Sequence, residues 1–237
     1  MPEPAARPIA WRPRAIPWRF PLLFVFLLAV LLLAPLIPRY RLLQVALSLV
    51  LLDGLYVSLS AAGFPPRWRW FFVGVWLLDA ALLFGGRAAG DPAVELALFA
   101  ASRAAALIVL AACVTGTLRY VLYSPRITLD TIFAAIVAYQ LLALAFAVLY
   151  HAIISIDPDS FAFSHGAPGD RHEAMLVQLV YFSFVTIATL GYGDIVPRVP
   201  LTQMIATVEA TLGQFYIAVV IAWLVSVHAA RRRGGAP

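Results

Sequence analysis

The stretch TLGYGD, from Thr189 to Asp194, decides the fold of this chain. Its polar and glycine residues lie between two apolar stretches. A half-length apolar segment, AMLVQLVYFSFVTIA, leads into it, and a full-length apolar segment follows from Leu201. Non-helical backbone inside a membrane is tolerated only where it is buried in protein or lines an aqueous cavity. The sequence therefore predicts a re-entrant loop that lines a path for water or ions.

The surrounding chain has the composition of an integral membrane protein. Of its 237 residues, 63% are hydrophobic and 12% are charged, which excludes an ordinary soluble domain. A helix needs about 20 apolar residues to cross a bilayer. Six runs of suitable length occur, at 20–37, 42–62, 70–86, 94–117, 131–154 and 201–229. We therefore expect an all-α membrane protein with six transmembrane helices and one re-entrant helix.

Arginine positions orient these spans, because short loops rich in arginine stay on the cytoplasmic side. Eleven arginines fall on one side of the alternating spans, namely Arg7, Arg12, Arg14, Arg19, Arg67, Arg69, Arg119, Arg126, Arg231, Arg232 and Arg233. Five fall on the other side. The pattern predicts a multi-pass protein of the plasma (inner) membrane with both termini in the cytoplasm. Anionic lipids would be attracted to the arginine-rich side.

The hexapeptide carries the groups needed to replace the hydration shell of a cation. Rings of backbone carbonyls, contributed by several subunits, can take the place of water oxygens without binding the ion irreversibly. Gly191 and Gly193 permit backbone angles that other residues avoid, so that carbonyls can point along one axis. Thr189 would add a ring of hydroxyls at the inner mouth, and Asp194 would concentrate cations at the outer mouth.

The stretch Thr189-Leu190-Gly191-Tyr192-Gly193-Asp194 resembles the selectivity filter of potassium channels. The preceding Phe184-Val185-Thr186 is similar to the end of that family's pore helix, although Ala188 stands where a second threonine is common. Leu190 replaces the usual valine, and Gly213 falls at the spacing of the family's gating hinge. We expect Tyr192 to point outward and to pack against the aromatic side chains Tyr181, Phe182 and Phe184.

The resemblance covers roughly residues 131–229 and implies the architecture of a potassium channel. It implies a homotetramer in which four chains build one ring of filter carbonyls. It also implies passive conduction of K⁺, with K⁺ as the permeant ion and no other cofactor. Membrane lipids would be partners of such a protein, and nucleic acid would not.

The segment from Arg119 to Asp130 divides the chain, because Ser124-Pro125 interrupts the helical pattern and Asp130 is placed to cap the next helix. The predicted order is an N-terminal arm at 1–19, a four-helix membrane domain at 20–118, a linker at 119–130, a pore domain at 131–230 and a tail at 231–237. Within the pore domain, a pore helix is expected at 171–188, the filter at 189–194 and an inner helix at 200–229.

The first four spans occupy the position of a voltage sensor, but their charges do not fit one. A sensor needs several arginines, supplying about 3–4 gating charges per subunit. Arg103 alone lies between residues 94 and 117, so we expect weak or no voltage gating. Asp53 and Asp79 fall near the same depth, and we predict that Arg103 pairs with one or both. The pair would be either a structural clamp or a weak sensor of field or ligand.

Two features of the last span concern the ion path. Glu209 lies one helical turn before Gly213, and we expect it to hydrogen-bond behind the pore helix or to tune the ion path. Helical spacing brings four further residues onto one face, namely Gln214, Ile217, Ile221 and Val225. This face either lines a cavity with an apolar gate or packs between subunits.

Three other classes of protein are alternatives to a potassium channel. No cluster of Cys and His, phosphate-binding loop or Ser/His/Asp set occurs in the aqueous segments, which argues against an enzyme. A nonselective cation channel on the same scaffold typically lacks the filter tyrosine or a glycine. The subunit of a potassium-uptake transporter is a further alternative, although such chains carry four degenerate pore loops and this sequence has one.

Overall fold

The structure is a computed structural model that describes most of the chain from residue 92 onward. The described residues are 18–34, 36, 67, 70, 71, 73–75, 77, 78, 81, 92–124, 127–164, 166 and 172–234. The second predicted span, most of the third, Asp53 and Asp79 lie outside the described residues. So does Asp170, whose spacing to Glu173 in the sequence predicts a capping box at the start of the pore helix.

The described residues are mostly helical. The helices are α1 (Arg19–Leu33), α2 (Pro92–Tyr123), α3 (Leu129–Ile156), α4 (His172–Ile187) and α5 (Pro200–Gly234). Three stretches within them are long and apolar enough to cross a membrane, namely Leu96–Tyr123, Leu129–Ile156 and Pro200–Val220. α1 and α4 are apolar but shorter, and α1 ends at Leu33, before the predicted end of the first span.

The start of α3 differs from the sequence prediction. Thr128 caps the helix, because its hydroxyl accepts from the Thr131 N–H at 3.3 Å and the Thr131 hydroxyl accepts from the Thr128 N–H at 3.3 Å. The prediction that Asp130 is the cap is wrong, since Asp130 lies in the first turn. Its carboxylate accepts from the Tyr120 hydroxyl at 2.8 Å and from the Phe20 N–H at 3.2 Å. Asp130 therefore ties α1 and α2 to α3.

One core cluster joins α1, α2 and α3. Its buried residues are Phe20, Leu23, Leu27, Val109, Cys113, Tyr120, Val121, Ala134, Ala135, Val137 and Leu141, with Val220 from α5. Five alanines of α3 are buried, namely Ala134, Ala135, Ala138, Ala143 and Ala147. Small residues let membrane helices approach one another closely. α3 is therefore the helix around which the others pack.

A small antiparallel sheet accompanies the helices. β1 (Phe161–Phe163) pairs with β2 (Ile195–Pro197), with Phe161 opposite Pro197 and Phe163 opposite Ile195. β1 lies within residues 155–170, whose content of Pro, Gly and Asp predicts an exposed loop, but the Phe161 side chain is only 4% exposed. A second core cluster forms there from Tyr150, Ile154, Phe161, Leu179, Phe182 and Ile195. The sheet thus fixes the chain that follows the TLGYGD loop, residues 189–194.

Candidate functional site

The TLGYGD loop begins where α4 ends, and α4 holds it by backbone hydrogen bonds. The N–H of Thr189 donates to the Thr186 carbonyl at 2.9 Å, and the N–H of Leu190 donates to the Val185 carbonyl at 2.9 Å. The N–H of Gly191 also points to the Val185 carbonyl, at 3.4 Å. These bonds satisfy carbonyls at the end of α4 that have no partner within the helix.

The same bonds set the direction of the loop's carbonyl groups. Across a trans peptide, the N–H of one residue and the C=O of the preceding residue point in opposite directions. The described residues contain no cis peptide bond. Because the N–H groups of Thr189, Leu190 and Gly191 turn toward α4, the carbonyls of Ala188, Thr189 and Leu190 point away from it.

Alternate residues of the loop adopt the left-handed backbone conformation. The φ angles are 58° at Thr189, 57° at Gly191 and 78° at Gly193. Gly191 and Gly193 therefore adopt the backbone angles that other residues avoid, as predicted. Thr189 was not expected there, and a β-branched residue in this region carries strain of about 1–3 kcal/mol. Such strain persists only where the surrounding contacts impose it, as the bonds from α4 do here.

Tyr181 on α4 anchors the second half of the loop. Its ring stacks on that of Tyr192, with centroids 6.5 Å apart and an angle of 16° between planes. Phe182, also expected beside Tyr192, instead packs in the core against Tyr150 and Phe161. The Tyr181 hydroxyl donates to Oδ2 of Asp194 at 2.7 Å.

Asp194 accepts further hydrogen bonds besides the one from Tyr181. The other carboxylate oxygen of Asp194 accepts from the Ile195 N–H at 3.0 Å. The Asp194 carbonyl accepts from the Ser164 N–H at 2.8 Å. Asp194 is thus a negative charge held in a fixed position beside β2.

One of the predicted lining residues of α5, Gln214, lies near the start of the loop. Gln214 is exposed, and its side-chain amide points to the Thr189 hydroxyl at 3.5 Å. Ile217 is also exposed on this part of α5. The side chains of Ile221 and Val225 lie outside the described part of the structure. Among the predicted lining side chains that the structure describes, Gln214 therefore reaches the loop.

Gly213 lies on the buried side of α5, where it contacts the end of α4. A Cβ atom added at Gly213 would lie 2.7 Å from Cγ1 of Ile187 and would also overlap the Ile187 carbonyl oxygen. That oxygen accepts from the Tyr139 hydroxyl at 2.8 Å. Gly213 therefore has a packing role, and its role as a gating hinge stays a prediction.

Glu209 lies behind α4, in contact with both α3 and α4. Its side chain is fully buried. The Tyr150 hydroxyl donates to its Oε2 at 2.7 Å, and the Ser183 hydroxyl contacts its Oε1. The Ser183 hydroxyl oxygen also lies 2.6 Å from the Ala143 carbonyl oxygen. The prediction that Glu209 hydrogen-bonds behind the pore helix is confirmed, whereas its partners Ser183 and Tyr150 gave no signal in the sequence.

Arg103 is buried in α2, away from the loop. Its guanidinium group donates to the Ser102 hydroxyl at 2.9 Å and lies 5.2 Å from the centre of the Phe99 ring. The Phe99 ring in turn contacts the His151 ring edge-on at 5.2 Å. The pairing of Arg103 with Asp53 or Asp79 stays a prediction, because both aspartates lie outside the described residues.

The half-length helix, the loop held at its end and the long apolar helices on either side define a membrane protein built around a re-entrant segment. A family model described as "Ion channel" matches residues 127–229, from the start of α3 into α5. Together with the relatives described next, this match shows that the chain belongs to that ion channel family.

Two relatives share this region. Protein LctB of Geobacillus stearothermophilus is 30% identical over 96 residues, which cover 40% of this chain and 71% of that protein. Protein LctB of Bacillus caldotenax is 30% identical over 103 residues, with the same shares of the two chains. No solved structure matches the chain at a significant level. The chain is therefore a membrane protein with an ion channel domain that supports passive conduction, and its family points away from enzymes.

Proposed function

We propose that this chain is the subunit of a potassium-selective channel whose filter is the TLGYGD loop. The observation that carries the proposal is the alternation of left-handed residues at Thr189, Gly191 and Gly193. Together with the N–H groups turned toward α4, it supports a run of carbonyls that face away from the protein core. Such carbonyls can replace the water oxygens around K⁺. The Thr189 hydroxyl would add an oxygen ligand at the inner end.

A homotetramer would complete the filter, because one chain supplies one strand of each carbonyl ring. The Leu190 and Tyr192 side chains are 58% and 66% exposed in the single chain. α5 also carries an exposed apolar stripe, made of Leu201, Met204, Val208, Leu212, Phe215 and Val219. Neighbouring subunits would cover these surfaces. Gln214, Ile217, Ile221 and Val225 would then line the cavity below the filter.

The remaining parts of the chain fit a channel with little voltage dependence. Arg103 is 5% exposed and is held by Ser102 and Phe99, which favours a structural role over movement in a field. We propose the plasma membrane, both termini in the cytoplasm and anionic lipid at the arginine-rich side. Asp194 would attract cations to the outer mouth, with Tyr181 holding it in place.

The reversal potential of the purified protein tests the proposal. The protein is placed in a planar bilayer with K⁺ on one side and Na⁺ on the other. A potassium channel reverses near the potassium equilibrium potential. Reversal near zero would indicate the nonselective cation channel instead. Flux that depends on a second ion or on an energy source would indicate a subunit of an uptake transporter.

A matched pair of glycine variants assigns the selectivity to the loop. Gly193 and Gly166 have φ angles of 78° and 81°, and among the described residues neither has an atom within 4 Å of an added Cβ. Alanine therefore imposes similar backbone strain at both positions, but only Gly193 lies in the loop. Gly193→Ala should abolish or shift the potassium-selective current, and Gly166→Ala should leave it unchanged. Unaltered selectivity in Gly193→Ala would mean that the loop is not the filter.

A further inference from the structure

The carboxyl group of Glu209 forms a buried polar site that ion conduction does not by itself require. It lies on α5 and meets Tyr150 of α3 and Ser183 of α4. Ser183 precedes Val185 and Thr186, whose carbonyls hold the TLGYGD loop. Any change at this site is therefore close to the backbone that sets the loop's direction.

The number of available hydrogens shows which groups donate at this site. The Ser183 hydroxyl oxygen is within hydrogen-bonding distance of the Ala143 carbonyl oxygen, at 2.6 Å, and of Oε1 of Glu209. A serine hydroxyl has one hydrogen, and an ionised carboxylate and a carbonyl have none to donate. If Glu209 were ionised, one of these two close oxygen–oxygen contacts would have no hydrogen and would be repulsive.

A proton on Oε1 of Glu209 supplies the missing hydrogen. Glu209 then donates to Ser183, Ser183 donates to Ala143, and Tyr150 donates to Oε2 of Glu209 at 2.7 Å. Every oxygen in this set of hydrogen bonds has a suitable partner. The three helices α3, α4 and α5 are joined through one continuous set of hydrogen bonds.

The charges around Glu209 favour the same protonation state. Its side chain is fully buried, and an unpaired buried charge costs several kcal/mol. Among the described residues, the titratable groups that face it are Tyr150 and, more distantly, Tyr139, both on α3. α4 contributes the neutral Ser183. No arginine or histidine of the described part bonds to the carboxyl group, so a neutral acid avoids the cost that an anion would carry.

We infer that Glu209 holds a proton and that the protonated carboxyl group is a positioning residue for the TLGYGD loop, because it locks α4 to α3 and α5. The inference applies to this ion channel whichever cation it conducts. Loss of the proton would leave Ser183 between two acceptors. Its contact with either Ala143 or Glu209 would then break, and the end of α4 would no longer be held on both sides.

Infrared spectroscopy of the full chain in lipid tests the protonation directly. A protonated carboxyl group has a carbonyl stretch that a carboxylate lacks. We expect this band at neutral pH in the wild type, its loss in Glu209→Gln, and no change in Asp159→Asn, which alters an exposed acid. Tyr150→Phe should move the band to higher frequency, because the carbonyl loses its donor. Absence of the band, or its survival in Glu209→Gln, would overturn the inference.

The same variants separate positioning from charge. In Glu209→Gln, the side-chain amide can donate to Ser183 and its carbonyl can accept from Tyr150, so current and ion selectivity should match the wild type. Glu209→Leu offers neither group and should lose the current. A folded Glu209→Gln channel with altered selectivity would show that a charge is needed and would contradict the inference. Wild-type current in Glu209→Leu would show that the site does not position the loop.

Discussion

Replacing Gly213 with alanine tests whether this residue is a packing contact or a hinge. The new Cβ would lie 2.7 Å from Cγ1 of Ile187 and would overlap the Ile187 carbonyl oxygen. The Cγ1 atom can rotate away from the alanine. The carbonyl cannot, because it belongs to the backbone of α4 and accepts from the Tyr139 hydroxyl at 2.8 Å. α5 must therefore move away from the end of α4.

The size of the effect follows from two opposing terms. At an open helical position, Gly→Ala stabilises a helix by about 0.8–1.0 kcal/mol. Inserting a methyl group into a packed core costs about 1–3 kcal/mol. The net loss for Gly213→Ala is about 0–2 kcal/mol per chain, and we expect the upper end because the opposing atom is backbone. For a domain of about 150–250 residues, a loss of about 2 kcal/mol lowers the Tm by about 4–8 °C.

Thermal unfolding in detergent measures this loss, and single-channel recording measures open probability in the same variants. Gly74→Ala is the control, since Gly74 is helical and no atom of the part of the chain that the structure describes lies within 4 Å of an added Cβ. It should leave the Tm unchanged or raise it. A hinge that needs only flexibility would give altered gating in Gly213→Ala without loss of stability. A Gly213→Ala protein that gains stability as Gly74→Ala does would refute the packing argument.

Three further variants test other contacts. Tyr181→Phe keeps the ring beside Tyr192 but removes the donor to Asp194, so the current should decay faster during sustained bilayer recording than in the wild type. Thr128→Ala removes the cap of α3 and should cost about 1 kcal/mol, seen as a lower Tm in detergent. Asp130→Asn removes a charged acceptor shared by α1 and α2, and the same assay should show a loss of about 1.5–3 kcal/mol.

Helices around the loop could be located from the sequence because their signals are local. An apolar run that stops at a polar break predicts a helix at 171–188, and the structure has His172–Ile187. The run after Pro200 predicts a helix at 200–229, and the structure has Pro200–Gly234. The length of an apolar run and the residues that end it are both read from adjacent positions in the sequence. Predicting these helices therefore requires no tertiary contacts.

Contacts between distant residues could not be predicted in the same way. Aspartate is a residue type that often caps helices. The carboxylate oxygens of Asp130 instead accept hydrogen bonds from the Tyr120 hydroxyl and from the N–H of Phe20, a residue 110 positions away. The helix is capped by Thr128, which has extended backbone and exchanges hydrogen bonds with Thr131. The pairing of β1 with β2 likewise joins segments on opposite sides of α4.

The loop geometry depends on how α4 is held, and the structure shows three polar contacts that hold it. Ser183 joins α4 to Ala143 and Glu209. Tyr139 donates to the last carbonyl of α4, at Ile187. At the same place, Gly213 lets α5 contact the end of α4.

Between membrane helices there is little hydrophobic driving force, because lipid tails are as apolar as the side chains. Hydrogen bonds and close approach at small residues must then set the position of one helix against another. This explains why a chain that is 63% hydrophobic keeps a buried acid, a serine and a tyrosine behind the loop. Those polar groups fix α4, α4 fixes the N–H groups of the loop, and the N–H groups decide where its carbonyls point.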